Sequence, residues 1–314
     1  MYAMHLMEMS ERPSTILLVH KARKNGMPFW NKTLRSGSDK VVVAFEAFER
    51  LSRVSVRPMT AISDLSDIHK DICASAERKR AAILILPFHK HQRFDGGLET
   101  TGPELRNVNR KVLENAPCSV GILVDRGLGG ATHVSASYLS SSVTVLFFGG
   151  RDDREALSYG ARMTEHPGIR LTVLRFCASE HAPIGEITAI DMNTDSLSER
   201  MSSDDRFIDE FRKKTQNDKA ILYEERVVTS KEDTMSAIRP FSRSNIFLVG
   251  RSPEGPAALF LVTERAECPE LGPVGSLLTS PSFPISASVL VVQQYNGSSN
   301  ITEETCLPSI SEGT

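Results

Sequence analysis

The chain has 314 residues, with 37 Lys plus Arg against 39 Asp plus Glu, a net charge of −2. Its length suggests two domains of about 150 residues, and 40% apolar with 24% charged residues is the make-up of an ordinary folded protein. The balanced charge and the absence of a long basic run remove the electrostatic case for nucleic acid or an anionic lipid surface as a partner. Five cysteines, Cys73, Cys118, Cys177, Cys268 and Cys306, stand far apart without a CxxC pair. They read as small buried or half-buried thiols in a reducing compartment rather than as a zinc ribbon or thioredoxin-type site. Residues 1–10 lack a basic start followed by an apolar core, so no secretory signal is read there. The apolar runs at 81–86, 143–148 and 287–292 have strand length, far below the roughly 20 residues of a membrane-spanning helix.

In chain order, residues 2–7 are a strand candidate. Residues 15–20 suit strand or helix, and Pro13 one turn earlier favours helix. Asp39 can cap a helix with Val41, Phe45 and Phe48 on one face. Residues 54–60 form a weaker strand, which Pro58 demotes towards an edge. Ser66 can cap a helix carrying Ile68, Ile72 and Ala76. A strand at 81–86 ends at Pro87, a helix follows at 104–115, Pro117 breaks it, and 119–124 is a strand. A Gly/Ser-rich linker lies at 131–142.

The second half is plainer. Residues 143–148 read as a strand buried on both faces, ended by Gly149-Gly150. Asp152 can cap a helix to about 165 with Ala156, Tyr159, Gly160 and Met163 on one face. Strand 169–176 follows, then a polar insert at 179–203 read as a mobile loop. A helix carries Phe207, Ile208 and Phe211. Strand 220–228 leads to the capping box Ser230-Lys-Glu-Asp233 and its helix. Strand 245–249 ends at Gly250, Gly275-Ser276 opens a short helix, strand 287–292 closes the pattern, and 297–314 is a disordered tail.

Repeated strand–helix alternation predicts an α/β fold with a doubly wound parallel sheet, of order 2-1-3-4-5 or 3-2-1-4-5. The first half repeats part of this, in the strand–loop–helix–strand series ending at 124 and again at 292. The expected organisation is a first lobe at 1–130, a linker at 131–142 and a second lobe at 143–296. The first lobe is incomplete: it lacks a first strand and helix, so the chain reads as shortened at its N-terminus relative to the protein that evolved the fold.

Met4-His-Leu-Met-Glu8, Val19-His-Lys-Ala-Arg-Lys-Asn-Gly26, Pro87-Phe-His-Lys-His91, Asn115-Ala-Pro-Cys-Ser-Val120, Leu123-Val-Asp-Arg-Gly127 and Phe147-Phe-Gly-Gly150 resemble the cytosolic tail of plant cation/H+ exchangers. So do Asp152-Asp-Arg-Glu-Ala-Leu157, Phe247-Leu-Val-Gly-Arg251, Cys268-Pro-Glu-Leu-Gly-Pro-Val-Gly275 and Ser288-Val-Leu-Val-Val-Gln-Gln-Tyr295. The resemblance covers almost the whole chain. It implies a tail of two universal-stress-protein-like lobes behind a membrane antiporter of about a dozen helices. Members of that family exchange K+ or Na+ for H+ in endomembranes or the plasma membrane. Transport then belongs to a parent protein, and this chain is its cytosolic regulatory part. The expected partners are the membrane antiporter domain and a second copy of the chain, with nucleic acid not expected. The alternative reading is a soluble nucleotide-binding stress-type sensor.

Two sets of residues are candidates for a site. Gly250-Arg-Ser-Pro-Glu-Gly255 followed by Gly275-Ser276 partly matches the glycine pattern with which stress-protein domains wrap the phosphates of ATP or AMP. Gly250, Gly255, Gly275 and Ser276 are therefore the nucleotide candidates, although Pro253 and Pro256 remove N–H donors. His89 and His91 are the pH-sensing candidates, since histidine changes charge near neutral pH. A His-x-His metal site lacks a third ligand fixed by spacing. Asp152 and Asp153 are explained by the helix dipole. Ser-x-x-Lys, G-x-S-x-G and H-E-x-x-H are absent, so no catalytic residue is expected and the chain is read as no enzyme.

Overall fold

The computed structural model describes residues 1–8, 16–19, 49, 54–92, 98–100, 103–128, 141–179, 194–262, 267–283 and 285–297. The first lobe contains β1 (Tyr2–Glu8), β2 (Ile16–Val19), β3 (Arg57–Ser63), α1 (Ile68–Lys79), β4 (Ile83–Pro87), β5 (Lys90–Gln92), β6 (Leu98–Thr100), α2 (Pro103–Asn115) and β7 (Ser119–Val124). The second contains β8 (Ser141–Phe147), α3 (Arg151–Met163), β9 (Ile169–Ala178), α4 (Thr194–Thr215), β10 (Ile221–Val228), α5 (Lys231–Ile238), β11 (Ile246–Gly250), α6 (Gly272–Thr279) and β12 (Ser288–Gln293).

Strands of the second lobe lie in the order β10-β9-β8-β11-β12, all parallel. In lobe numbering this is 3-2-1-4-5, one of the two expected orders. The sheet does not stop there. β12 pairs antiparallel with β7, Val289 opposite Val124 through Gln293 opposite Val120, and β7 pairs parallel with β4. The two lobes therefore share one seven-stranded sheet, joined along their last strands.

Alternation of side chains divides this sheet between two cores. Leu146, Phe148, Phe247, Val249, Val289 and Val291 point to one face, where they meet Val108 and Val112 of α2 and Val274 and Leu278 of α6. Val143, Val145, Phe147, Leu248, Leu290 and Val292 point to the other, under Ala156 and Leu157 of α3 and Ile208 and Phe211 of α4. Since the first core draws on both lobes, neither buries that face alone. Each fully buried Val or Leu contributes roughly 1.5–3 kcal/mol.

Polar contacts reinforce the seam. The Arg126 guanidinium donates through Nη1 to the carbonyls of Leu278 at 3.2 Å, Ile285 at 3.0 Å and Ala287 at 3.4 Å, while the Arg126 N–H donates to Ser288 Oγ at 2.8 Å. Gln293 Nε2 donates across the seam to the Leu113 carbonyl at 2.8 Å.

In the first lobe, β1 pairs parallel with β3 as β9 does with β10, and β2 adds antiparallel to the far side of β3. Between β1 and β4 no counterpart of β8 occurs among the described residues. β4 shows the effect: Ile85 is 56% exposed, whereas its second-lobe counterpart β11 is buried at all five positions.

Several local expectations need correction. Residues 16–19 form a strand, not a helix, because β3 supplies a pairing partner that local propensity cannot show. β3 is central in its sheet rather than an edge; Pro58 is tolerated because β2 pairs only with Met59–Ile62, beyond the proline. The α1 N-cap is Asp67, not Ser66, whose N–H instead donates to the Asp64 carboxylate at 2.8 Å. α3 begins at Arg151 behind Gly150, so Asp152 lies within the helix rather than capping it. α4 begins at Thr194, inside the stretch read as loop. Gly275 lies in the middle of α6, which starts at Gly272. The capping box stands: Asp233 N–H donates to Ser230 Oγ at 3.1 Å, and the Asp233 carboxylate accepts from Thr229 N–H. Of the linker expected at 131–142, Ser141 and Ser142 instead begin β8, while residues 131–140, most of the helix expected behind Asp39 and the tail beyond 297 lie outside the described residues.

Candidate functional site

In an open parallel sheet, ligands gather at the carboxyl ends of the strands where the order reverses. Here that place is between β8 and β11, and the chain fills it with its own carboxylates. Asp153 Oδ2 accepts from the N–H groups of Phe148 at 2.7 Å and Gly149 at 2.9 Å, and its Oδ1 accepts from Gly250 N–H at 2.8 Å. Asp152 accepts from Ser252 N–H at 3.0 Å and Gln294 N–H at 2.8 Å. Asp204 of α4 accepts from Gly150 N–H at 2.8 Å and pairs with Arg154. These loop N–H groups form the kind of cradle that elsewhere takes a phosphate.

The acids are placed by short local segments. The Gly149-Gly150 turn, with φ of 111° and 98°, swings the chain from β8 into α3 so that the first helical turn faces back over the strand ends. Asp153 is fully buried and Asp152 is 3% exposed. Burial pushes the Asp153 carboxyl up to about 7, against the downward pull of its three N–H donors. Burial also raises Asp152, with the Gln294 and Ser252 N–H groups pulling the other way.

The nucleotide candidates Gly250 and Gly255 lie at this end but serve close backbone approach. A Cβ on Gly250 would stand 2.3 Å from Asp153 Oδ1, and one on Gly255 only 1.7 Å from the Phe148 carbonyl oxygen. Gly275 packs within α6 against Val291, and Ser276 follows it in the helix. The space beside Gly255, lined also by Phe148, Gly149, Phe176, Ala178, Asp204 and Pro256, amounts to about 110 Å³. That is below the roughly 300–1,000 Å³ of drug-sized ligand pockets.

The other candidates sit at the junction of the lobes. His89 follows β4 in a loop held by Phe88 N–H on the Leu123 carbonyl and by Asn109 Nδ2 on the Pro87 carbonyl, both at 2.9 Å. Its Nδ1 lies 2.9 Å from Glu270 Oε1, with side-chain exposures of 3% and 5%. Burial lowers the His89 pKa, and Glu270 opposes that. Lys90 pairs with Glu267, and Arg106 donates to the Glu267 carbonyl at 2.6 Å. His91 lies in β5, opposite Glu99 of β6. Sequence reasoning had no means of finding Glu270 as the His89 partner, because 181 positions separate them and no local pattern links the two.

Comparison with known proteins assigns both halves of the chain to plant antiporter families. Residues 1–128 match the family described as plant cation/H(+) antiporter domain, and residues 140–293 match plant cation/H(+) antiporter, C-terminal domain. Cation/H(+) antiporter 18 of Arabidopsis thaliana is 58% identical over 302 residues, which cover 94% of this chain and 37% of that protein. Cation/H(+) antiporter 17 of the same plant is 53% identical over 338 residues, covering 99% and 40%. The chain thus spans less than half the length of these relatives. Among solved structures, a putative universal stress protein from Pseudomonas aeruginosa UCBPP-PA14 aligns at a TM-score of 0.42 and 14% identity, over 82% of this chain and 78% of that one. A likeness of that size carries no weight beside the strand order itself. No helix among the described residues is long and apolar enough to cross a membrane. With both halves matched and identities of 53% and 58% to named antiporters, the chain belongs to the plant cation/H(+) antiporter family.

Proposed function

We propose that this chain is the cytosolic regulatory region of a monovalent cation (K+ or Na+)/proton antiporter, serving ion and pH homeostasis on the cytosolic side of an endomembrane or the plasma membrane. The observation that carries the reading is the seam: two lobes of an antiporter-family region share one sheet, so a push on either reaches the other. The partner that receives this movement is the membrane domain of the parent protein. Catalysis has no part in it, and K+ or Na+ passes through the membrane domain rather than through these lobes.

Reconstituting the parent antiporter in vesicles, with and without Arg126→Ala, tests the proposal. The substitution leaves the Leu278, Ile285 and Ala287 carbonyls without Arg126, an expected loss of about 1–3 kcal/mol per buried group left unsatisfied. The curve of cation-driven proton exchange against pH is expected to shift while the amount of inserted protein stays the same. Superimposable curves in the presence of a measured seam defect would refute regulation through the lobes.

The stress-type sensor reading is tested separately. Since Asp152, Asp153 and Asp204 already occupy the N–H groups of the second lobe, ATP and AMP are expected to leave the melting temperature unchanged. A saturable upward shift, as linkage requires of a ligand that binds only the folded state, would reverse this assignment.

A further inference from the structure

His89 and Glu270 are close without being joined. Their Nδ1 and Oε1 atoms lie 2.9 Å apart, near enough for an ion pair, yet neither atom has a hydrogen bond of acceptable geometry although both are buried. Buried polar atoms are nearly always satisfied, and each one left over costs about 1–3 kcal/mol. A third buried donor stands with them. Ligand atoms of His89, Cys268 and Glu270 all lie within 4.8 Å of one another, and Cys268 is itself only 8% exposed.

We propose that His89, Cys268 and Glu270 form a binding site for a zinc-type divalent metal ion that clamps the first lobe to the second. One imidazole nitrogen, one thiolate and one carboxylate are the donor types that Zn²⁺ takes, at about 2.0–2.3 Å. Three protein ligands leave a fourth tetrahedral position for water or a further donor. Mg²⁺ and Ca²⁺ require shells of oxygen that this cluster does not supply. A single ion would satisfy both orphaned atoms, with the three donors drawing in slightly around it. On binding, Cys268 gives its thiol proton to solvent, Glu270 binds ionised and His89 binds neutral. Charge then balances: the divalent ion is met by one thiolate and one carboxylate, Lys90 is already paired with Glu267, and Arg106 Nε stays 4.0 Å from Glu270 Oε1.

The framework is built to hold these positions. His89 is fixed by the ties of Phe88 to the end of β7 and of Pro87 to α2. Cys268 precedes and Glu270 lies within a single turn, Pro269–Leu271, closed by the Leu271 N–H on the Cys268 carbonyl at 3.0 Å. Two ligands thus come from the second lobe and one from the first, so an ion there would cross-link the lobes.

The test is titration of the chelator-stripped 314-residue chain with Co²⁺ and Zn²⁺. Co²⁺ is expected to give thiolate-to-metal charge-transfer absorption, displaced by one equivalent of Zn²⁺, and Zn²⁺ is expected to raise the melting temperature. Cys268→Ser should abolish the charge-transfer band and weaken Zn²⁺ binding by about 100-fold or more, beyond the 10–100-fold typical of an outer-shell partner. Cys73→Ser should leave both intact. A second measurement needs no variant: on the unmodified chain, Zn²⁺ should slow alkylation of Cys268 selectively over Cys73 and Cys177, read by mass spectrometry. Absence of the band, its survival in Cys268→Ser, or equal alkylation with and without Zn²⁺ would overturn the proposal.

Discussion

Asp153→Ala is expected to cost about 3 kcal/mol or more, among the largest single effects in the chain, because it strips three buried N–H groups at once. Phe148, Gly149 and Gly250 all donate to this carboxylate, and a buried donor left unsatisfied costs roughly 1–3 kcal/mol. Chemical denaturation should show it, with exposed Asp209→Ala on α4 as a control within about 0.5 kcal/mol of wild type. The same residue predicts a pH dependence. In the fold its carboxyl is pushed from the ordinary 3.8 up to about 7. As pH rises from about 4 to 7, the unfolded chain has released this proton while the folded chain still holds it. Stability from this group is therefore full below about 4, falls through that window by at most about 1.4 kcal/mol per pH unit, and levels off above 7. Asp153→Asn, which cannot ionise, should flatten the slope; an unchanged slope would show that Asp153 is already ionised throughout.

Gly255→Ala is expected to be nearly as damaging. Its Cβ would fall 1.7 Å from the Phe148 carbonyl oxygen and 2.9 Å from the carbonyl carbon. Both are backbone atoms at the end of a buried strand, so relief requires moving the 256–261 turn away from β8. Overpacking usually costs about 1–3 kcal/mol, and the upper end or beyond is expected here. Gly127→Ala offers the contrast: with φ of 91° but nothing within 4 Å, it should cost about 1–2 kcal/mol through backbone strain alone. Thermal melts of the two variants side by side would decide the order, and equal effects would mean that the turn yields freely.

The doubly wound order was legible because each second-lobe strand is a continuous apolar run closed by its own turn signal, such as Val143–Phe147 before Gly149-Gly150. Such evidence is local, and it holds wherever the element is buried on both faces. β2 was misread for the same reason in reverse: four apolar residues suit either periodicity, and only β3, some forty residues on, decides. Asp152 and Asp153 were visible as acids in a first helical turn, a placement the helix dipole explains. That they fold back onto the ends of β8 and β11 depends on the approach of two strands about a hundred residues apart. The histidine candidates were visible as a pair, but the structure separates them. His89 turns into the lobe junction, while His91 belongs to the β5–β6 hairpin.

The seam between β7 and β12 also bears on how copies of this chain can associate. The two strands belong to one polypeptide, in lobes joined through residues 125–140, and a short tether places such partners at an effective concentration on the order of millimolar. A second molecule at micromolar concentration would compete for that edge at a disadvantage of roughly a thousandfold. The last strand of each lobe, which would otherwise be free to pair with a neighbour, is thereby used up internally. Sheet-to-sheet self-association must then use an outer strand of the shared sheet, β10 or β4, with the same strand of both copies side by side in a two-fold arrangement.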